Sequence, residues 1–243
     1  MRAAKPSRTG GLAPMLGRKG APMIQTLGHL LPYALPVALS PLPVIAALML
    51  VLSPPGPRGG MAFLAGRLLA LGLATALAAG LAETLQDRAG ADVPRVWLRL
   101  GLGLALAALA LRSLLRPAPA DAPLPGWLAA LETATPAAAL RLGALVTLAN
   151  PKELAFLLAA GLAIGAQMPG LPALIALALA FALLAGSGVA LPVLAALIGG
   201  PTMRLRLVPL RDSLVARRGI VMGLVLAFIA ALLIGDAIGS LGS

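Results

Sequence analysis

Six stretches of this chain are long and apolar and hold few charges: about 30–52, 61–82, 96–115, 140–164, 171–198 and 219–238. Each approaches the roughly 20 residues that a helix needs to cross a hydrocarbon layer about 30 Å thick. Lipid offers no hydrogen bonds, so the backbone of such a run must satisfy itself, and a helix does this within the segment. The sequence therefore predicts an all-α, polytopic membrane protein with six transmembrane helices. The turn-forming Pro54-Pro55-Gly56-Pro57 and a polar stretch over 83–95 separate the first three spans.

Composition narrows the function. The chain is 60% hydrophobic and 11% charged, which no soluble domain of this size resembles. Cysteine is absent, excluding disulfides, thiol redox chemistry and thiolate metal sites. The single histidine, His29, excludes a multi-histidine centre. No phosphate-cradling glycine loop followed by Lys-Ser/Thr is present, so an ATP-driven pump is unsupported. No metal-ligand set and no Ser/His or paired-carboxylate constellation argues for an enzyme, and no cofactor is expected. The net charge is +11, but the basic residues flank apolar runs and aromatics are only 3% of the chain. That pattern fits a membrane surface and topology signals rather than nucleic acid.

Against this background, Asn150-Pro151-Lys152-Glu153 stands out. Charged side chains at the centre of a bilayer cost about 2.5–3.5 kcal/mol each on insertion scales, so such a cluster inside an apolar run marks a functional site by default. Asn150 suits a helix N-cap, Pro151 the first helical position, and Glu153 the place where a capping-box carboxylate reaches back. The tetrad reads as the start of a half-helix in mid-membrane; the competing reading is a short ordinary helix with the tetrad at the water interface. Ser40-Pro41-Leu42-Pro43 repeats the same logic in the first span, where Pro32 and Pro36 also lie, although a kinked continuous helix fits those prolines equally. Arg67 stands only about two turns into the second span. Snorkelling to the interface is favoured there over a substrate-facing role.

The spans pair as two triplets. Ser40-Pro41 matches Asn150-Pro151, Leu64-Ala65-Gly66-Arg67 matches Leu184-Ala185-Gly186-Ser187, and Arg99 before Gly101 resembles Arg218 before Gly219. Three is an odd number, so the second triplet enters from the opposite side. The expected fold is two inverted three-helix repeats with broken first and fourth helices and a site at their interface. Residues 1–28 read as a disordered basic arm, with Met15 and Met23 as alternative starts. Residues 29–243 form one transmembrane domain: repeat one over 29–116, a Pro/Ala-rich linker over 117–138, and repeat two over 139–243. Within the linker, Trp127, Leu128 and Leu131 make either one amphipathic interfacial turn or a plain flexible loop. A bend is expected near Gly186-Ser187-Gly188 and Pro192, and a basic loop over 199–218, read as a topology signal ahead of headgroup recognition. Omitting the arm, inner loops hold nine arginines against three outside if the N-terminus is out; counting the arm with a re-entrant fourth span favours an inside N-terminus instead.

The order of these features resembles the GAP family, the sulfolipid- and glycopeptidolipid-addressing proteins of actinobacteria, itself similar to a branch of the lysine-exporter superfamily. The likeness runs from about residue 29 to the end. It rests on Ser40-Pro41-Leu42-Pro43, on Phe63-Leu64-Ala65-Gly66-Arg67, on Trp127, Leu131 and Thr135-Pro136 ahead of the fourth span, and most specifically on Asn150-Pro151-Lys152. The basic loop and the closing span over 220–241 also fit. Glu153 departs from the neutral residue expected there, and would neutralise Lys152 or cap the half-helix. The resemblance implies a multi-pass protein of the bacterial plasma membrane that helps move a cell-envelope lipid or small metabolite outward. It also implies contact with membrane lipids, a homodimer by analogy with the superfamily, and lipid-synthesis or export partners. The candidate translocation residues are Ser40, Pro41, Pro43, Arg67, Asn150, Pro151, Lys152, Glu153 and Ser187. A desolvated Lys152 would be a candidate for proton coupling. The alternative function is a non-transporting scaffold for a lipid synthesis or export machine.

Overall fold

The structure is a computed structural model that describes the backbone of residues 20–89, 104, 107–108, 110–112, 114–115, 126–167 and 170–241. It is helical, and no strand occurs among the described residues. Helix α1 spans Gly20–Ala38, α2 Pro41–Leu52, α3 Gly56–Ala89, α4 Pro136–Leu148, α5 Pro151–Gly165 and α6 Leu171–Leu241. The described residues between 104 and 115 are helical as well. Most of the third span, and with it Arg99 and Gly101, lies outside the described residues, as do the first 19 residues of the basic arm.

Both proline motifs break their helices. Leu27–Ala38 and Pro41–Leu52 meet at 58°, and Pro136–Leu148 and Pro151–Gly165 at 74°. The first span is therefore broken rather than a kinked continuous helix. Helices Gly56–Ala82 and Leu171–Phe228 are long and apolar enough to cross a membrane, giving two spans, or up to four if each bent pair is one. The 58 residues of Leu171–Phe228 would extend about 87 Å as one straight helix, far beyond a single hydrocarbon thickness.

Several local expectations need correcting. Helix α3 continues to Ala89 through part of the expected loop over 83–95. Residues 201–218 are helical, not a loop. Leucine, arginine and methionine are good helix formers there, and Leu207 is buried against the rest of the protein. Inside α6 the backbone leaves helical angles at Gly200 (φ 59°, ψ −151°), not at Gly186–Pro192. Those angles belong essentially to glycine, and a Cβ at Gly200 would meet nothing within 4 Å. The cost of Gly200→Ala is thus backbone strain, expected at about 1–3 kcal/mol. Thermal unfolding in detergent checks this.

The linker turn is ordered. A 3-10 helix over Gly126–Leu131 buries Leu128 and Leu131 and leaves Trp127 half-buried. Helix α4 follows, capped by Thr135, whose hydroxyl accepts from Ala138 N–H at 3.2 Å.

The buried apolar residues form two layers. The first joins α1 (Leu30, Ala34, Val37), α3 (Leu71, Ala79), α5 (Phe156, Leu157, Ala160), and α6 at Leu174–Ala185 and again at Leu226 and Ala230. The second joins α2 (Ala46–Val51), the start of α3 (Phe63, Leu64), the 3-10 helix, Ala139 of α4, and α6 at Val189–Ala196 and Leu207. Both helix breaks fall between these layers. The outward face of α3 carries Leu69, Leu73, Leu77 and Leu81, spaced by four and 56–74% exposed. In a membrane such a stripe faces lipid.

Candidate functional site

Between the two apolar layers runs a polar seam. Ser40, Arg67, Thr147 and Glu153 are all fully buried there. Arg67 lies between Leu64 of one layer and Leu71 of the other, far from either end of α3. It does not snorkel. Its guanidinium is held from three helices. Nη1 donates to Glu153 Oε2 at 2.8 Å and to Thr147 Oγ1 at 3.0 Å, and Nη2 donates to the Val37 carbonyl at 3.1 Å. Thr147 Oγ1 donates in turn to Gly143 O at 2.9 Å.

The backbone explains how these groups meet. A Cβ on Gly66 would collide with the Leu140 carbonyl, and a Cβ on Gly143 with that of Phe63. Two glycines thus bring α3 and α4 into backbone contact, which drives association where lipid removes the hydrophobic force. Thr147 lies one turn beyond Gly143, within reach of Arg67. Gly188 of α6 does the same against the Ala38 carbonyl, at the end of α1. The Gly186-Ser187-Gly188 stretch is therefore a close-packing feature. Gly161 and Gly165 of α5 press onto Thr75 and Ala79 of α3.

The second cation of the seam is Lys152. Asn150 caps α5, its Oδ1 accepting from Lys152 N–H at 3.1 Å. Lys152 Nζ crosses to the first break, donating to Ser40 Oγ at 3.2 Å, to Pro36 O at 3.5 Å and to Met222 Sδ at 3.4 Å. Ser40 makes no side-chain cap on α2; its hydroxyl serves Lys152 instead. Pro41 and Pro43 are buried in the first turn of α2, whereas Pro151 is exposed at the start of α5.

Glu153 neither caps α5 nor pairs with Lys152; its partner is Arg67. Adjacent residues on a helix do not face one another, so Lys152 and Glu153 turn to different neighbours. The rule that intramembrane charges pair with each other could have found the Arg67–Glu153 bridge in the sequence. Thr147, the Val37 carbonyl and Met222 carried no comparable signal. Ser187 stands apart from the seam: it is partly exposed, and its hydroxyl donates to Leu184 O at 2.7 Å.

Among the described residues the seam holds two cations and one carboxylate, a net charge of +1, from Arg67, Lys152 and Glu153. Arg67 Nε and Glu153 Oε1 are buried without a partner. The bonds of Arg67 to Glu153 and Thr147, and of Lys152 to Ser40 and Pro36, cross between the first three helices and the last three. Separating the two halves would therefore break the seam, and a ligand that restores those bonds could replace it.

Comparisons with curated proteins and with solved structures find no match. A family match, to Sap, sulfolipid-1-addressing protein, covers residues 30–239 and so takes in both helix breaks and every residue of the seam. The chain is a membrane protein of the Sap, sulfolipid-1-addressing protein family.

Proposed function

We propose that the protein is an exporter of the secondary-transporter kind, with the polar seam as its translocation site, in the bacterial plasma membrane. The observation that carries this reading is the placement of Arg67, Glu153 and Lys152 at the level of two broken helices, between two apolar layers. Broken helices facing each other across a repeat interface are a recurrent transporter layout, because half-helix starts offer positive dipole ends to an anion. Lys152 would supply a cation for an anionic group on the substrate. The reading assigns the protein no catalytic step.

The path of the chain through the layers supports six crossings. The pair α1–α2 runs from the first layer to the second, and α3 returns. The 3-10 helix lies in the second layer, so the reading puts one more crossing between α3 and Gly126, a stretch whose described residues between 104 and 115 are helical. Helices α4–α5 then run from the second layer to the first. Helix α6 crosses to Ala196, turns at Gly200, and comes back to Ala230. The second three crossings run opposite to the first three, as in an inverted repeat. Arg58, Arg141, Arg204, Arg206 and Arg211 belong to segments at the second-layer end, which favours an outside N-terminus. Lipid handling accords with the family described as sulfolipid-1-addressing.

The test is reconstitution. Purified protein in vesicles should move a fluorescent anionic lipid between leaflets, and Lys152→Ala should lower the rate by at least about tenfold, the loss of roughly 1.4 kcal/mol of charge-assisted binding. Unchanged transport by Lys152→Ala would remove the lysine from the mechanism. Absence of movement by the pure protein would favour the scaffold function.

A further inference from the structure

Helices of the two sequence repeats are locked together in pairs. Four glycines lie against the backbone of a neighbouring helix: Gly66 against Leu140, Gly143 against Phe63, Gly161 against Thr75 and Gly165 against Ala79. All four tie α3, from the first repeat, to α4 or α5, from the second. Gly188 does the same for α6 and α1, at the Ala38 carbonyl. Polar bonds divide the helices in the same way. Arg67 joins α3 to Glu153 of α5 and Thr147 of α4, while Arg204 Nη2 of α6 donates to the Ser53 carbonyl at the end of α2 at 3.3 Å. One group is thus α3, α4 and α5, and the other α1, α2 and α6.

Contacts between the groups are of another kind. Gly60 of α3 faces side-chain methyls of Val51 and Val193, Gly72 the Ala182 Cβ at 3.7 Å, and Gly186 of α6 the end of the Leu68 side chain. Helices packed through side chains can slide, whereas interlocked backbones cannot. Four hydrogen bonds also span the groups: Lys152 Nζ to Ser40 Oγ, Pro36 O and Met222 Sδ, and Arg67 Nη2 to Val37 O. The buried Arg67–Glu153 pair lies wholly inside one group. Two short connections lead from group to group, α2 to α3 and α5 to α6. Each holds a glycine of positive φ, Gly56 at 60° and Gly170 at 74°, and a Cβ on either would meet nothing within 4 Å. The breaks inside the groups, at 39–40 and 149–150, hold no glycine. A few connecting residues absorb the backbone change of a hinge, and glycine is the least restricted of them.

We propose that the seam opens between α1–α2–α6 and α3–α4–α5, about Gly56 and Gly170, and not between the two sequence repeats. Parting the repeats would pull Arg67 from Glu153, leave two buried charges uncompensated and unlock the backbone contacts. Parting the mixed groups keeps the pair whole. It draws Lys152 away from Ser40, Pro36 and Met222, so the lysine becomes the cation that the opening uncovers. This rests on the seam being the translocation site, and it says which helices move to expose it.

The chain is free of cysteine, so pairs of spin labels can be placed without background. Exposed leucines take them: Leu31 of α1, Leu77 of α3, Leu158 of α5 and Leu179 of α6. In lipid vesicles Lys152→Ala removes three of the four spanning bonds, and should add a second, longer distance to the pairs Leu31–Leu77 and Leu77–Leu179. The pairs Leu77–Leu158 and Leu31–Leu179, each inside one group, should keep theirs. A fixed Leu31–Leu77 distance with changes in Leu77–Leu158 and Leu31–Leu179 would mean that the repeats part, and would overturn the proposal. Four unchanged pairs would overturn it too. A second variant leaves Lys152 in place: Gly72→Cys with Ala182→Cys sets two Cβ atoms at a separation suited to a disulfide across the groups. Oxidation should stop its movement of a fluorescent anionic lipid, and a reductant should restore it. Undiminished movement with the disulfide formed would contradict an opening between α3 and α6. No movement by the reduced protein sinks export alone, and the spin-label distances still decide which helices part.

Discussion

Replacing Arg67 with alanine should be the most damaging single change in this protein. The variant leaves Glu153 fully buried with its ionic partner gone, and it also strips Thr147 and the Val37 carbonyl of a donor. Removing one member of a buried ion pair costs about 3–5 kcal/mol, because the remaining charge is uncompensated. That is a large share of a typical net stability of about 5–15 kcal/mol, so Arg67→Ala should accumulate poorly in membranes. The paired replacement Arg67→Met with Glu153→Leu removes both charges and should recover much of the loss. Thermal unfolding in detergent of both single variants and the double closes the cycle. A coupling near zero would mean that the two charges do not stabilise one another, and the seam would lose its central contact.

The second large effect is steric. Gly143→Ala places a methyl against the Phe63 carbonyl, with Arg67 N–H 3.1 Å away on the same strip of α3. Backbone cannot yield as a side chain can, so α3 and α4 must separate. Overpacking of this kind costs about 1–3 kcal/mol and sometimes more. It should also carry Thr147 away from Arg67, so export should fall along with stability. Gly66→Ala faces the Leu140 carbonyl and should behave alike. Gly72→Ala is the control. Its Cβ would meet only Ala182 Cβ at 3.7 Å, an ordinary contact, and alanine gains roughly 1 kcal/mol of helix propensity over glycine. Melting curves in detergent should separate the first two variants from the third in sign as well as size.

Much of this was legible from residue order. Length and apolarity gave helices, and Ser-Pro and Asn-Pro marked the two breaks, because proline removes a donor and a small polar residue caps the next helix. The partners inside the seam were less legible. Arg67 stands only about two turns from the expected start of its span, which suggested snorkelling. Helix α3 in fact begins at Gly56, so Arg67 sits three turns deep. Chain proximity offers Glu153 its neighbour Lys152 or a capping place on its own helix, whereas helical geometry turns it toward α3. Sequence does not show which backbone approaches a missing side chain, so the contact of Gly188 with the Ala38 carbonyl was not legible. The span over 201–218 looked like a loop because its arginines and prolines interrupt the hydropathy. One buried face, marked by Leu207, is enough to order it as a helix. Ser187 stands where Arg67 stands in the other triplet, but its hydroxyl is bonded within its own turn, apart from the seam.

Export through the seam requires the sealed seam to open. Ser40 is fully buried and bonded to Lys152 in this structure, so a static protein offers position 40 no access to water. The direct measurement is thiol labelling of Ser40→Cys and Asn150→Cys, with buried Leu157→Cys and Leu177→Cys as controls, in intact cells and in inside-out vesicles. An exporter predicts labelling at 40 and 150 by a small membrane-impermeant reagent while 157 and 177 stay silent. Silence at position 40 toward both impermeant and permeant reagents, from both sides, would describe a seam that never opens, and export through it would be contradicted.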